Sequence, residues 1–305
     1  SQINKPFSYL VTYSRFPTET NVYSKDGNFI SNLLNVPLIE ELPKGFMSVR
    51  TGKRSFSWRP DKGASLTYVT ALDSGDPSKK VDFRDEVYEL NYPFLGQGKF
   101  ILKTINRFSG IDWGTKDMAI AYDTWWNTRN RKSYVFNPSN PNIKPKIISD
   151  RNYQDTYSDP GVFLRSRNEF NRSVLKMHYG NVFLRGQGFS SNGQFPFIDK
   201  VNTKTFEKTR VYQSSYTDKI ESIIDYDPKK NQLTVSIESP SEYPNYYIKK
   251  IKSGKLEKIT DLKNPFLELQ NVKKKKITYL RKDGVELSGI LLSLIHISEP
   301  TRRTD

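Results

Sequence analysis

Few side chains in this sequence could carry covalent chemistry. There is no cysteine, which removes thiolate nucleophiles, disulfides and thiolate metal sites, and the only histidines are His178 and His296. His178 lies in the strand-like run Leu175-Lys176-Met177-His178-Tyr179 with no serine or metal-ligand partner, and reads as structural. Gly186-Gln187-Gly188 with Gly193 resembles a phosphate-cradling loop, yet no Gly-Lys-Ser/Thr follows and no helix is predicted behind it. A loop between strands is the expectation. In Trp125-Trp126, adjacent strand residues face opposite sides, so one ring should pack between sheets and the other line a rim. Asn171-Arg172-Ser173 is a glycosylation triplet. No metal and no cofactor is expected.

The elements that hold these residues follow from composition. At 305 residues, with 18 Tyr, 18 Phe, 17 Gly and 17 Pro, the chain suits short strands joined by polar turns. The formal net charge is +15, from 48 basic and 33 acidic residues. The basic residues are dispersed, and the only dense cluster is Lys273-Lys274-Lys275-Lys276. A solvated lysine-rich surface accounts for this better than nucleic-acid binding, which would need a basic stripe on a recognisable module. No apolar run approaches the roughly 18 residues of a membrane span. The opening Ser1-Gln2-Ile3-Asn4-Lys5-Pro6 has no signal pattern, which leaves the compartment open, periplasm and secretion included.

The last residues, Leu292 to Arg302, read as the one-frame translation of a transposon-library sequencing adapter. On that reading residues 292–305 are an artefact, the natural sequence stops near Leu291 within a strand, and His296 is lost with the tail.

An internal repeat sets the fold expectation. Trp58-Arg59-Pro60-Asp61-Lys62 before Leu66-Thr67 recurs loosely as Tyr226-Asp227-Pro228-Lys229-Lys230 before Leu233-Thr234, and again as Trp113-Gly114-Thr115-Lys116-Asp117 before Met118 to Tyr122. Each copy is an aromatic residue closing a strand, a turn, and a second strand. Trp58 to Trp113 is 55 residues and Trp113 to Tyr226 is 113, about twice that. A diverged unit should therefore turn near Asn168 to Phe170. Roughly four strands per repeat of ~56 residues is the signature of a propeller blade. Tyr9 to Tyr13, Asn21 to Tyr23 and Phe29 to Leu33 read as the later strands of one more blade. The expectation is all-β: a partial β-propeller over 1–262, with about four complete four-stranded blades and a partial one. A connector and a hairpin around Lys282-Asp283-Gly284 occupy 263–291.

Several of these motifs together resemble the prolyl oligopeptidase family of serine peptidases, in its glutamyl-peptidase-like branch of bacteria and chloroplasts. They are Arg54 to Lys62, Ala71-Leu72-Asp73-Ser74-Gly75-Asp76-Pro77, Arg107-Phe108-Ser109-Gly110-Ile111-Asp112-Trp113-Gly114, Trp125 to Arg129, Asp159-Pro160-Gly161, Pro196 to Asp199 and Tyr279 to Gly289. The resemblance implies a propeller that gates peptides above an α/β-hydrolase domain, and the 279–289 hairpin as the entrance to that domain. It implies a nucleophilic Ser on Gly-x-Ser-x-Gly, then Asp and His. No such elbow is present, and Gly188-Phe189-Ser190-Ser191-Asn192-Gly193 has the wrong spacing. No catalytic residue is therefore assigned, and the chain itself should be inactive. If the parent prefers Glu beside the scissile bond, Arg129 and Arg131 are the candidate substrate-binding residues, because arginine meets a carboxylate bidentately. The competing readings are a solvated loop for these arginines and, for the chain, a stand-alone propeller used as a protein-binding or periplasmic scaffold. The resemblance implies peptide partners and a bacterial source; oligomeric state is open.

Overall fold

The computed structural model describes residues 1–267 and 272–293. The tail expected to derive from an adapter, His296 included, lies outside the described residues from 294 onward; Leu292 and Ser293 continue the final strand. The chain divides into two compact units, Ser1–Ser214 and Ser215–Asp305.

In the first unit, sheet A is antiparallel and three-stranded: β1 (Gln2–Ile3), β2 (Thr18–Tyr23) and β3 (Phe29–Val36). Sheet B runs in sequence order through β4 (Arg54–Trp58), β5 (Ser65–Ala71), β6 (Asp85–Asn91) and β7 (Lys99–Thr104). Sheet C repeats it with β8 (Arg107–Thr115), β9 (Met118–Trp125), β10 (Asn130–Phe136) and β11 (Lys146–Asn152). The short strands β12 (Val162–Phe163), β13 (Arg165–Arg167), β14 (Ser173–Leu175) and β15 (Met177–His178) lead into β16 (Asn181–Gly186). A small hairpin, β17 (Phe189–Ser190) and β18 (Gly193–Gln194), precedes β19 (Phe197–Asn202) and β20 (Lys208–Gln213). Sheet D is β12-β16-β19-β20, with β15 also paired to β16.

Central strands buried on both faces explain the stacking. In β5, Leu66 and Tyr68 face sheet A with Val22, Leu33, Leu90 and Phe94, while Val69 turns to the other side. That side meets Trp113, Ala119, Ala121, Tyr134 and Phe136 of sheet C. Sheet C repeats the device, since Met118 and Ile120 face Leu175, Val182, Leu184 and Val201. Each apolar seam lies between consecutive meander sheets, which is how propeller blades pack. The expected fold class, all-β with blade-type sheets, is the observed one.

In the second unit, sheet E is β21 (Ile220–Asp227), β22 (Gln232–Glu238), β23 (Asn245–Lys250) and β24 (Leu256–Lys258). Leu233, Val235 and Ile237 alternate as its buried face. A separate hairpin pairs β25 (Lys273–Leu280) with β26 (Glu286–Ser293), turning where Asp283-Gly284 predicts.

Two details differ from expectation. Tyr9 to Tyr13 forms no strand: the chain bends there and enters a short 3₁₀ turn at Tyr13–Arg15, leaving Tyr9 and Leu10 exposed, and Gln2–Ile3 takes the pairing place beside β2. The diverged unit does turn at 168–170, but β13 and β14 pair only with each other. They are an excursion from the edge of sheet D, with β12 pairing one half of β16 and β15 the other. The turn that completes the blade falls instead at Tyr179-Gly180, both left-handed.

Candidate functional site

Arg129 and Arg131 stand in different surroundings. Arg129 sits at the β9–β10 turn with φ 54°, its guanidinium 3.9 Å from the Trp126 ring centre and its Nη1 donating to the Trp126 carbonyl at 2.7 Å. Trp126 packs in turn on Phe46, while Trp125 lies beneath Arg84. Arg131, on β10, lies 4.9 Å from the ring centre of Tyr122. The Tyr122 hydroxyl donates to Asp112 Oδ2 at 2.7 Å, and Arg165 Nη2 is 2.5 Å from Asp112 Oδ1. Burial first, then Asp112, push the Tyr122 hydroxyl well above its usual range, so it stays a proton donor. Arg131 has no carboxylate partner among the described residues.

Several charged motif residues that carry the resemblance, Arg59, Asp73, Arg107, Asp112 and Asp199, are buried. Arg59 stacks 4.0 Å from the Trp113 ring centre, is bidentate to Asp61 at 3.0 and 2.6 Å, and reaches Glu89 at 3.1 Å. Arg107 donates to Asp73 at 2.8 Å and to Asp85 at 3.1 Å, while Arg84 holds Asp73 and Arg54 holds Asp85. Arg107, at the start of β8, thereby ties sheet C to sheet B, while Arg84 and Arg54 hold the same two carboxylates from within sheet B. Asp123 accepts from Asn106 and Tyr134, and burial pushes its carboxyl above the usual range against those hydrogen bonds. Asp199 is held by Arg210 at 2.5 Å.

One open cleft of about 810 Å³ lies in the first unit, where the β2–β3, β4–β5 and β6–β7 turns meet the β13–β14 hairpin. Its aromatic wall includes Tyr23, Trp58, Tyr92 and Phe94, and its cations are Lys25, Arg167 and Arg172. The sequence repeat marks Trp58 as a strand-closing ring and carries no signal for the cleft. Arg167 and Arg172 flank the turn of the diverged unit, and the available signal was a pair of arginines on a segment that breaks the repeat.

His178 packs against the Tyr179 ring, with ring centres 4.2 Å apart. Among the described residues no serine hydroxyl bonds its imidazole, and no group of three His, Cys, Asp or Glu side chains is placed to hold a metal ion. No helix among them is long and apolar enough to cross a membrane.

No family model matches the chain. Two curated plant proteins do. One, named "Probable glutamyl endopeptidase, chloroplastic", from Oryza sativa subsp. japonica, is 34% identical over 95% of the chain and 33% of its own length. Its namesake from Arabidopsis thaliana is 32% identical over 95% of the chain and 32% of its own length. The chain thus spans about a third of these relatives. Both are plant proteins, so the expected bacterial source rests on the resemblance alone. Among solved structures, oligopeptidase B from Trypanosoma brucei matches at 11% identity and a TM-score of 0.43 over 81% of this chain and 40% of that one, too distant to add weight. Nearly the whole chain is thus similar to about a third of two plant proteins named as glutamyl endopeptidases.

Proposed function

We propose that the chain is the substrate-gating propeller part of a serine peptidase that prefers acidic residues, and that the chain alone does not hydrolyse peptides. The observation that carries this reading is the alignment of nearly the whole chain with one third of proteins named as glutamyl endopeptidases. Blade-type sheets restrict entry by size, and a net charge of +15 draws acidic peptides toward them. In this reading β25 and β26 are the entrance to the catalytic domain, as the resemblance implies, and Arg131 or Arg129 meets a substrate carboxylate. Arg131 is the better placed, because its guanidinium lies on an aromatic ring without a carboxylate of its own, whereas Arg129 bonds its own turn.

The test is made in the intact peptidase. Arg131→Ala should lower kcat/KM for a glutamyl substrate about fivefold more than for the leucyl analogue, the scale of one partly exposed ion pair. Equal losses on both substrates would refute the role, and Arg129→Ala read in parallel would show whether the neighbour carries it.

A further inference from the structure

The cleft lies at the turn end of sheets A and B. Three cations line it, Lys25, Arg167 and Arg172, and no aspartate or glutamate does. Several arginines of this unit meet carboxylates, as Arg59, Arg84 and Arg107 do, whereas among the described residues none of these three cations has one. Asp26 and Glu169, on the β2–β3 turn and the β13–β14 hairpin, are exposed and do not line the cleft, and two further acids nearby are engaged. Asp61 is held by Arg59, and Glu89 is shared by Arg59, Lys62 and Ser65. Cations beside a low-dielectric wall with no internal counter-charge favour an anionic ligand.

The cations are also held in place. The β13–β14 hairpin is strapped across to the β4–β5 turn: Asn168 Nδ2 donates to the Pro60 carbonyl at 2.7 Å, and Arg172 Nη1 donates to the Arg59 carbonyl at 3.2 Å. Asn168 Oδ1 accepts the backbone amides of Phe170 and Arg172, which fixes the hairpin tip. Arg167 Nη1 donates to the Asn171 carbonyl at 3.0 Å. Each guanidinium thereby spends one donor on the scaffold and keeps others for a ligand. Opposite them, Trp58 meets the Phe94 ring edge-on at 5.6 Å, and Tyr92 meets it likewise at 6.0 Å. Phe94 is buried, while Trp58 and Tyr92 are 48% and 65% exposed, so their outer faces await contact.

We propose that this cleft binds an acidic peptide segment, with Arg167 and Arg172 taking carboxylates and Trp58 and Tyr92 covering the apolar stems between them. The inference rests on the reading of the chain as a peptidase lid and assigns that lid a binding site. Arginine's planar fork suits carboxylates, and the cleft volume suits a few residues rather than a tracked nucleic-acid backbone, which needs a longer basic groove.

The test uses the whole chain and fluorescein-labelled Ala-Glu-Glu-Tyr-Glu-Glu, followed by anisotropy at about 50 mM and about 300 mM salt, either side of a Debye length near 10 Å. The glutamyl peptide should bind about tenfold more tightly than its glutamine counterpart, and weaken in the higher salt. Arg167→Gln with Arg172→Gln should cost about tenfold, the sum of two rim ion pairs. Lys229→Gln with Lys230→Gln, which removes the same charge from the β21–β22 turn, should cost less than twofold. If the arginine pair does not fold, as judged by circular dichroism, Arg167→Lys with Arg172→Lys keeps the charge, loses the fork, and should cost about threefold. Equal affinity for the glutamine peptide, equal loss from both charge-removal pairs, an unchanged lysine variant, or tighter binding of a dT oligonucleotide of matching charge overturns the proposal. Such a result leaves the lid reading standing if the intact peptidase still cleaves glutamyl peptides. Loss of that cleavage by the intact enzyme sinks the lid reading whatever the chain binds.

Discussion

At the level of single residues, several charged side chains that carry the resemblance are ones that a folded chain must satisfy internally. Arg107 shows why. Its side chain is 4% exposed and stands between Asp73 and Asp85, both fully buried, and its Nε also donates to the Met47 carbonyl at 2.9 Å. Arg107→Met would strip two buried carboxylates of a shared counter-charge, and Arg84 and Arg54 cover only part of the loss. The expected cost is about 3–5 kcal/mol, read from urea denaturation. A loss below about 1 kcal/mol would mean that the neighbouring arginines suffice. Asp123 gives a pH signature. Its folded pKa is raised by burial above the unfolded value, so its stabilising contribution is full below the ordinary carboxylate range and is lost as pH rises through the raised value. Asp123→Asn removes that titration. The wild-type urea midpoint should fall relative to that of the variant as pH rises out of the acid range, and curves that stay parallel would contradict the assignment.

Among the elements, the repeat was legible because its signal is local. An aromatic residue, a turn and a β-branched or apolar run lie within ten positions of one another, as at Trp58, Trp113 and Tyr226, and strands do end and restart there. Gly75 is local in a different way: φ is +76° and an added Cβ would lie 1.8 Å from the Val49 carbonyl oxygen. Gly75→Ala should cost about 3 kcal/mol, because strain in the left-handed region adds to a backbone clash that no side-chain rotation relieves. Thermal unfolding would measure it, and a Tm unchanged within a degree would show the Asp73–Pro77 turn to be plastic. The β13–β14 excursion was half legible. Its turn at 168–170 follows from the spacing, but its escape from sheet D depends on Asn168 and Arg172 bonding residues more than 100 positions earlier. Tyr9 to Tyr13 has strand-type residues and no strand, because alternation supplies a face and not a partner.

For the molecule as a whole, the proposal separates binding from catalysis. A serine hydrolase needs a base within hydrogen-bond reach of its nucleophile. Among the described residues the one histidine, His178, packs on Tyr179 instead. The purified chain should therefore release no amine above buffer from succinylated glutamyl amides, with contaminating proteases blocked; turnover proportional to chain concentration would end the lid reading. The all-β class, the blade repeat, the absence of thiol chemistry and the missing serine elbow were all determined by the sequence alone, because each depends on residue type and short spacing. Which arginines are free was decided only by tertiary structure. Sequence reasoning singled out Arg129 and Arg131 and passed over Arg167 and Arg172, since a guanidinium's availability depends on whether a carboxylate from a distant strand reaches it. That pairing is set by how sheets stack, and no local pattern encodes it.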